Sequence, residues 1–305
     1  MSPIRSFIHS LSLALPLDLS NFKCCPEGPV LPRPTAISDS PVFKEAAANL
    51  TQTLDAAVSV STTSGWLVDN VSFSMIVISA SQDKSGVPIW EYHHLASAND
   101  KGTKYLNRDS QYLIGSVSKV ITEYVLLKSD VDSDSPVTKF LPRLNDSESL
   151  VPWGEVSLRM LVSYLGGTPA NWVIPPSDSS WGADYKENIP AGGLVSSLSD
   201  LSKFSNALLS RSINLTSTEI DAWLKLAAFA GNAYTMTGMP WEILHPVNSP
   251  PEHPHSITIY RKSGGARSCC SQLSFVEDYG IAVFILTAGP VEAAPILTDA
   301  CFRLL

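Results

Sequence analysis

An α+β fold is predicted, with one antiparallel sheet assembled from both ends of the chain and helices on its faces. Three observations predict it. Short strand-like runs occur early, at 73–79 and 88–95, and again late, at 257–261, 271–276 and 281–287. Helical periodicity fills the middle, and a last helical segment follows the late strands. The 305 residues are 44% hydrophobic, enough to build a sizeable core, and they contain no internal repeat.

Residues 1–24 read as a leader, because Arg5 precedes an apolar stretch over 7–17 that Ser and His dilute; secreted and cytoplasmic locations both stay open. Residues 25–60 combine a Pro-punctuated extended segment with an amphipathic helix over 41–60 capped by Ser40. The domain proper is expected over 61–305. Its first two strands are joined by the polar, Gly-containing stretch 81–86, which suits a hairpin. Tyr112 to Ile114 then lead through Gly115 into a helix over 116–127, with apolar residues at 117, 120, 121, 124 and 125, so Ser116 stands at a helix start. Helices are expected over 156–165 and 197–209, the second opened by Ser199-Asp200, and over 291–304 after the three late strands.

Composition excludes several function classes. A formal net charge of −8 with no cluster of Lys or Arg argues against a nucleic-acid partner. The longest apolar stretch, 281–297, is interrupted by Gly289-Pro290 and Pro295, so no transmembrane segment is expected. The cysteines fall as Cys24-Cys25, Cys269-Cys270 and Cys301. The two pairs can bridge in an oxidising compartment, which leaves one thiol over, and none has metal-ligand spacing. His93-His94 lie in a predicted strand and His253 and His255 in a Pro-rich loop, so neither a metal nor another cofactor is expected. Asn49, Asn70, Asn145 and Asn214 head glycosylation sequons that would be used only on a secretory route.

Chemistry is suggested by Ser116-Val117-Ser118-Lys119. A hydroxyl and an amine one helical turn apart share a face and can hydrogen-bond. In a desolvated pocket the lysine loses proton affinity and can take the serine proton, while the Ser116 backbone N–H stabilises an oxyanion. The same spelling recurs at Ser20-Asn21-Phe22-Lys23 and Ser81-Gln82-Asp83-Lys84, where no helix would align the pair. Lys262-Ser263-Gly264 spells K-[ST]-G on a predicted strand; the lysine can hold a substrate carboxylate, and the small residues let backbone N–H groups approach an acyl oxygen, with Gly265 supplying a second N–H. Lys84-Ser85-Gly86 has the same letters but precedes Ser116 and falls in a turn.

Leu113-Ile114-Gly115-Ser116-Val117-Ser118-Lys119, followed by Pro136-Val137-Thr138-Lys139-Phe140-Leu141-Pro142, resembles the nucleophile helix and following turn of class C β-lactamase-type and penicillin-binding-protein-like serine enzymes. Val156-Ser157-Leu158-Arg159-Met160-Leu161-Val162-Ser163-Tyr164-Leu165-Gly166-Gly167-Thr168-Pro169 is similar to the family's "ITLRxLLSHxSGxP", with a Tyr in place of the His. The run from Pro190-Ala191-Gly192-Gly193 to Asp200-Leu201-Ser202-Lys203-Phe204 is similar to "PAGGxxSTxxDLxKF", and Tyr279-Gly280-Ile281 opens a block like the closing strand. Trp181-Gly182-Ala183-Asp184 and Pro240-Trp241-Glu242 look most like fungal members.

The resemblance implies a β-lactamase/transpeptidase-like fold with a reduced helical subdomain. The family's long helical stretch with its third motif, Y-x-N, has no room between Pro169 and Trp181, and Tyr105-Leu106-Asn107 precedes the nucleophile. Tyr164 and Tyr185 are the candidate substitutes for the missing tyrosine. The chain also stops after its closing helix, where many fungal relatives continue into a β-rich region. The activity implied is a serine hydrolase that forms an acyl-enzyme on Ser116 from an ester, amide or lactam, in a fungal secondary-metabolic setting. An acyltransferase like the lovastatin type and a catalytically impaired binding protein are the alternatives.

Overall fold

The first helix shows how local rules and packing combine. In the computed structural model, α1 (Pro41–Val58) places Ser40 at the N-cap in extended backbone and Pro41 at the first helical position, where a missing N–H costs nothing. Leu50, Leu54 and Ala57 form its buried stripe. The residues described are 32–82, 85–100, 102–145, 148–166, 188–246, 257–266 and 268–302.

Strand β1 (Ser72–Ser79) follows, antiparallel to β2 (Trp90–His94), with Phe73 opposite His94 and Val77 opposite Trp90. The short β3 (Gln111–Leu113) leads into α2 (Ser118–Lys128), and α3 (Leu158–Val162) comes next. Then follow β4 (Val195–Ser197), α4 (Leu198–Leu209), α5 (Ser217–Trp223), β5 (Ala228–Asn232), β6 (Thr235–Thr237) and β7 (Glu242–Leu244). Three long strands, β8 (Ile259–Ala266), β9 (Cys269–Val276) and β10 (Ile281–Ala288), precede α6 (Ala293–Phe302). The main sheet has eight antiparallel strands in the order β2-β1-β10-β9-β8-β7-β6-β5, and β3 pairs with β4 in a separate ribbon. The first strand and the last are thus neighbours, as an antiparallel sheet built from both chain ends requires.

Both faces of the central strands are covered, so they read as continuous apolar runs. Phe73, Met75 and Val77 of β1 and Val283 and Ile285 of β10 pack with Leu50 and Leu54 of α1 and Ala293 and Leu297 of α6. Ile76, Ile78, Ala282, Phe284 and Leu286 point the other way, into a larger core with Val117, Leu198, Leu201, Trp223 and Trp241. Each fully buried large side chain contributes roughly 2 kcal/mol of apolar transfer, so this two-sided core is what fixes the register.

Some expectations shift. The helix expected over 156–165 is confined to Leu158–Val162, because Ser157 caps it through Met160 N (3.2 Å) while Val156, buried, accepts from Val137 N (2.8 Å). Tyr164, at φ +64, ends it. The cap of α4 is Ser197, whose hydroxyl accepts from Asp200 N at 3.2 Å. The strand expected over 257–261 runs from Ile259 to Ala266, so Lys262, Ser263, Gly264 and Gly265 all lie on β8. The stretch 169–181, the leader, Cys24, Cys25, His253 and His255 lie outside the described residues. Among the described residues no helix is long and apolar enough to cross a membrane.

Candidate active site

The turn at Ser116 is fixed from three sides. Gly115, at φ +50, begins a single 3-10 turn over Gly115–Val117 that runs into α2. The carbonyl of Ile114 accepts from Val117 N (3.1 Å) and from the buried Ser271 hydroxyl (2.6 Å), while Ile114 N donates to Leu194 O (2.9 Å). Ser118, fully buried, accepts from Leu194 N at 3.1 Å. The turn Ile189–Gly193 therefore braces the start of α2, and Thr122 adds a bond to Pro190 O at 2.7 Å. The glycine pair Gly192-Gly193 belongs to this bracing turn.

Lys119 Nζ lies 2.8 Å from Ser116 Oγ and 2.6 Å from Ala191 O. Burial, and secondly the positive charge of Lys262, push its pKa below the ordinary lysine value. A lysine with one proton fewer can keep an N–H on Ala191 O and accept the Ser116 proton on its single lone pair.

On the other side, β8 approaches backbone to backbone. A Cβ on Gly264 would overlap Ile114 O and Ser271 Oγ and stand 2.9 Å from Ser116 N; one on Gly115 would stand 2.6 Å from Gly265 N. Only glycine permits this apposition. The structure thus brings together Ser116, Lys119, Gly264 and Gly265, with Lys262 near enough to Lys119 to depress its proton affinity.

Lys262 is only 5% exposed, and its Nζ donates to Glu242 Oε1 (2.5 Å) and Ser263 O (3.0 Å). Ser263 Oγ donates to both carboxylate oxygens of the same Glu242, at 2.8 and 3.1 Å. Arg261 Nε adds an ion pair to Glu242 Oε2 at 3.3 Å. Burial alone would raise the Glu242 pKa, but Lys262, then Ser263 and Arg261, outweigh it and hold the carboxyl below its usual value. Glu242 was no sequence candidate. Its only signal was its place in the block Pro240-Trp241-Glu242, and its partners become visible only when β7 pairs with β8 and sets Glu242 opposite Arg261.

Tyr164 stands by Lys262, whose Nζ lies 5.8 Å from the ring centroid, and its hydroxyl donates to Pro240 O at 3.0 Å. Burial, then Glu242, raises its pKa, and among the described residues it has no hydrogen bond to Ser116 or Lys119. Tyr185 lies outside the described residues. Tyr105 is exposed, and Asn107 accepts from Asp109 N in a local turn. Asn49, Asn70, Asn145 and Asn214 are all exposed. No group of three His, Cys, Asp or Glu side chains among the described residues is placed to hold a metal ion.

A β-lactamase-like protein of Arthroderma benhamiae is 32% identical over 391 aligned residues, which take in 91% of this chain. The chain belongs to the β-lactamase-like family. It spans 66% of that relative's length, and because the aligned positions exceed the 305 residues present, the relative carries extra residues between matched blocks. No protein-family model matches. Solved β-lactamase structures share the fold. A β-lactamase from Sulfitobacter sp. EE-36 superposes with a TM-score of 0.61 at 14% identity, over 87% of this chain and 98% of that one. A class C β-lactamase from Rhodobacter sphaeroides gives 0.58 at 15%, over 85% and 99%. A D-alanine carboxypeptidase from Burkholderia cenocepacia gives 0.56 at 14%, over 86% and 98%. At these identities the likeness establishes the β-lactamase/transpeptidase-like fold alone.

Proposed function

We propose that this β-lactamase-like chain is a serine acyl hydrolase acting on small-molecule esters, amides or lactams. Ser116 Oγ attacks the acyl carbon as its proton passes to Lys119 Nζ; the bond to the leaving group breaks, and the leaving group takes a proton back. Water then attacks the acyl-enzyme, frees the acid and returns the proton to Ser116. The N–H groups of Ser116 and Gly265 are the oxyanion donors in this reading. The observation that carries it is the 2.8 Å contact between Lys119 Nζ and Ser116 Oγ, made by a lysine of depressed pKa.

Intact-mass spectrometry of wild type and Ser116→Ala after incubation with a fluorophosphonate tests the reading. The expected result is one adduct on the wild type and none on the variant. An unmodified, folded wild type would sink it and leave a binding role for the scaffold. Product formation that depends on an added alcohol, in place of water, would turn the hydrolase into an acyltransferase.

A further inference from the structure

The K-[ST]-G strand offers a cation and a hydroxyl that could receive a substrate carboxylate. In this chain both are already taken by a carboxylate of its own. Glu242 accepts from Lys262 Nζ at 2.5 Å and from Ser263 Oγ at 2.8 and 3.1 Å, and Arg261 Nε lies 3.3 Å from its second oxygen. These contacts join neighbouring strands in fixed register, Glu242 opposite Arg261, so the carboxylate is tethered beside its donors. A tethered group competes with any diffusing carboxylate at a high effective concentration.

Charge points the same way. Lys262, whose charge is felt at Lys119, and Arg261 would together leave an anion-binding site; with Glu242 in place one of the two positive charges is answered, and an incoming carboxylate meets a like charge at that position. We propose that Glu242 sets substrate specificity by filling the carboxylate position of the site, so that the enzyme acylates with neutral substrates and discriminates against those bearing a carboxylate next to the scissile bond. The inference rests on the acyl-enzyme reading of Ser116.

The test compares benzylpenicillin with its methyl ester, which differ in that carboxylate alone, and uses 4-nitrophenyl butyrate as a neutral reference. Acylation rates of the full chain are followed by intact mass in wild type, Glu242→Ala and Glu242→Gln; the glutamine variant keeps hydrogen-bonding capacity if the alanine variant leaves the buried Lys262 too poorly paired to fold. In the wild type the methyl ester should react at least about tenfold faster than the free acid, and in either variant the free acid should gain at least about tenfold relative to the ester, the scale of a like charge removed. If 4-nitrophenyl butyrate acylates Ser116 but the free acid gains nothing in either variant, the inference is overturned while the acyl-enzyme reading stands. If no probe acylates Ser116 in the wild type, both fall together.

Discussion

Gly264→Ala tests the apposition of β8 and the nucleophile turn with a single methyl group. Its ideal Cβ would overlap Ile114 O and Ser271 Oγ and lie 2.9 Å from Ser116 N, against 3.4 Å for an ordinary contact. The Ser116 amide must therefore withdraw by about half an ångström and the Ile114 carbonyl by more, and these atoms are backbone with little room to give. Overpacking of this kind costs about 1–3 kcal/mol. Displacing Ser271 Oγ from Ile114 O endangers a buried 2.6 Å hydrogen bond, worth roughly 1 kcal/mol more. Misplacing a reacting atom by up to 1 Å costs about 10²-fold in rate, so fluorophosphonate labelling of Ser116 should slow by about that factor. Gly154→Ala is the control, since a Cβ there meets nothing within 4 Å. Labelling by intact mass and urea denaturation are run on the same samples. A folded Gly264→Ala protein that labels at the wild-type rate would refute the claim that this apposition builds the reactive geometry.

Lys119→Met should slow Ser116 labelling by about 10²–10⁴-fold, the usual worth of a general base. In the wild type the rate should climb with pH as Lys119 gives up its proton and level off below the ordinary lysine pKa, because burial and Lys262 depress it; a profile from pH 6 to 10 that is equally flat in both proteins would contradict the assignment. Glu123, buried with Oε2 lacking a hydrogen bond, has its pKa pushed up to about 7 by burial despite Arg159. The folded state then binds the proton more tightly than the unfolded chain, so stability is full below about pH 4.5 and is lost as pH rises through about 7. The loss is on the order of 3 kcal/mol, and urea midpoints at pH 5 and 8 should show it in wild type and not in Glu123→Gln. Trp223→Ala should destabilise by about 3–5 kcal/mol in the same assay, since the ring is fully buried against Tyr124 and Trp241 and its Nε1 donates to Met239 O at 2.5 Å.

What was legible in the sequence follows from how each element is stabilised. β1 and β10 are buried on both faces and so carry unbroken apolar runs, and α2 declares itself by helical spacing; one-dimensional patterns suffice for both. β5, β6 and β7 are short and largely half-exposed, held by pairing with neighbours instead of by an apolar signature of their own, so nothing local marks them. The site divides along the same line. Ser116, in the 3-10 turn that runs into α2, and Lys119, in the first turn of α2, are three residues apart, and the spacing alone brings their polar atoms together. The K-[ST]-G letters predict that β8 presents a cation, but a lysine 5% exposed is tolerated only with a paired anion, and the sequence does not say which. The partner comes from β7, a strand with no pattern to find, and it reaches Lys262 because Glu242 falls opposite Arg261 in the ladder. A shift of one residue in that pairing would turn Glu242 to the other face of the sheet and take its carboxylate away from Arg261 and Ser263. The partner of the lysine on the K-[ST]-G strand is thus a property of strand pairing that a motif cannot carry.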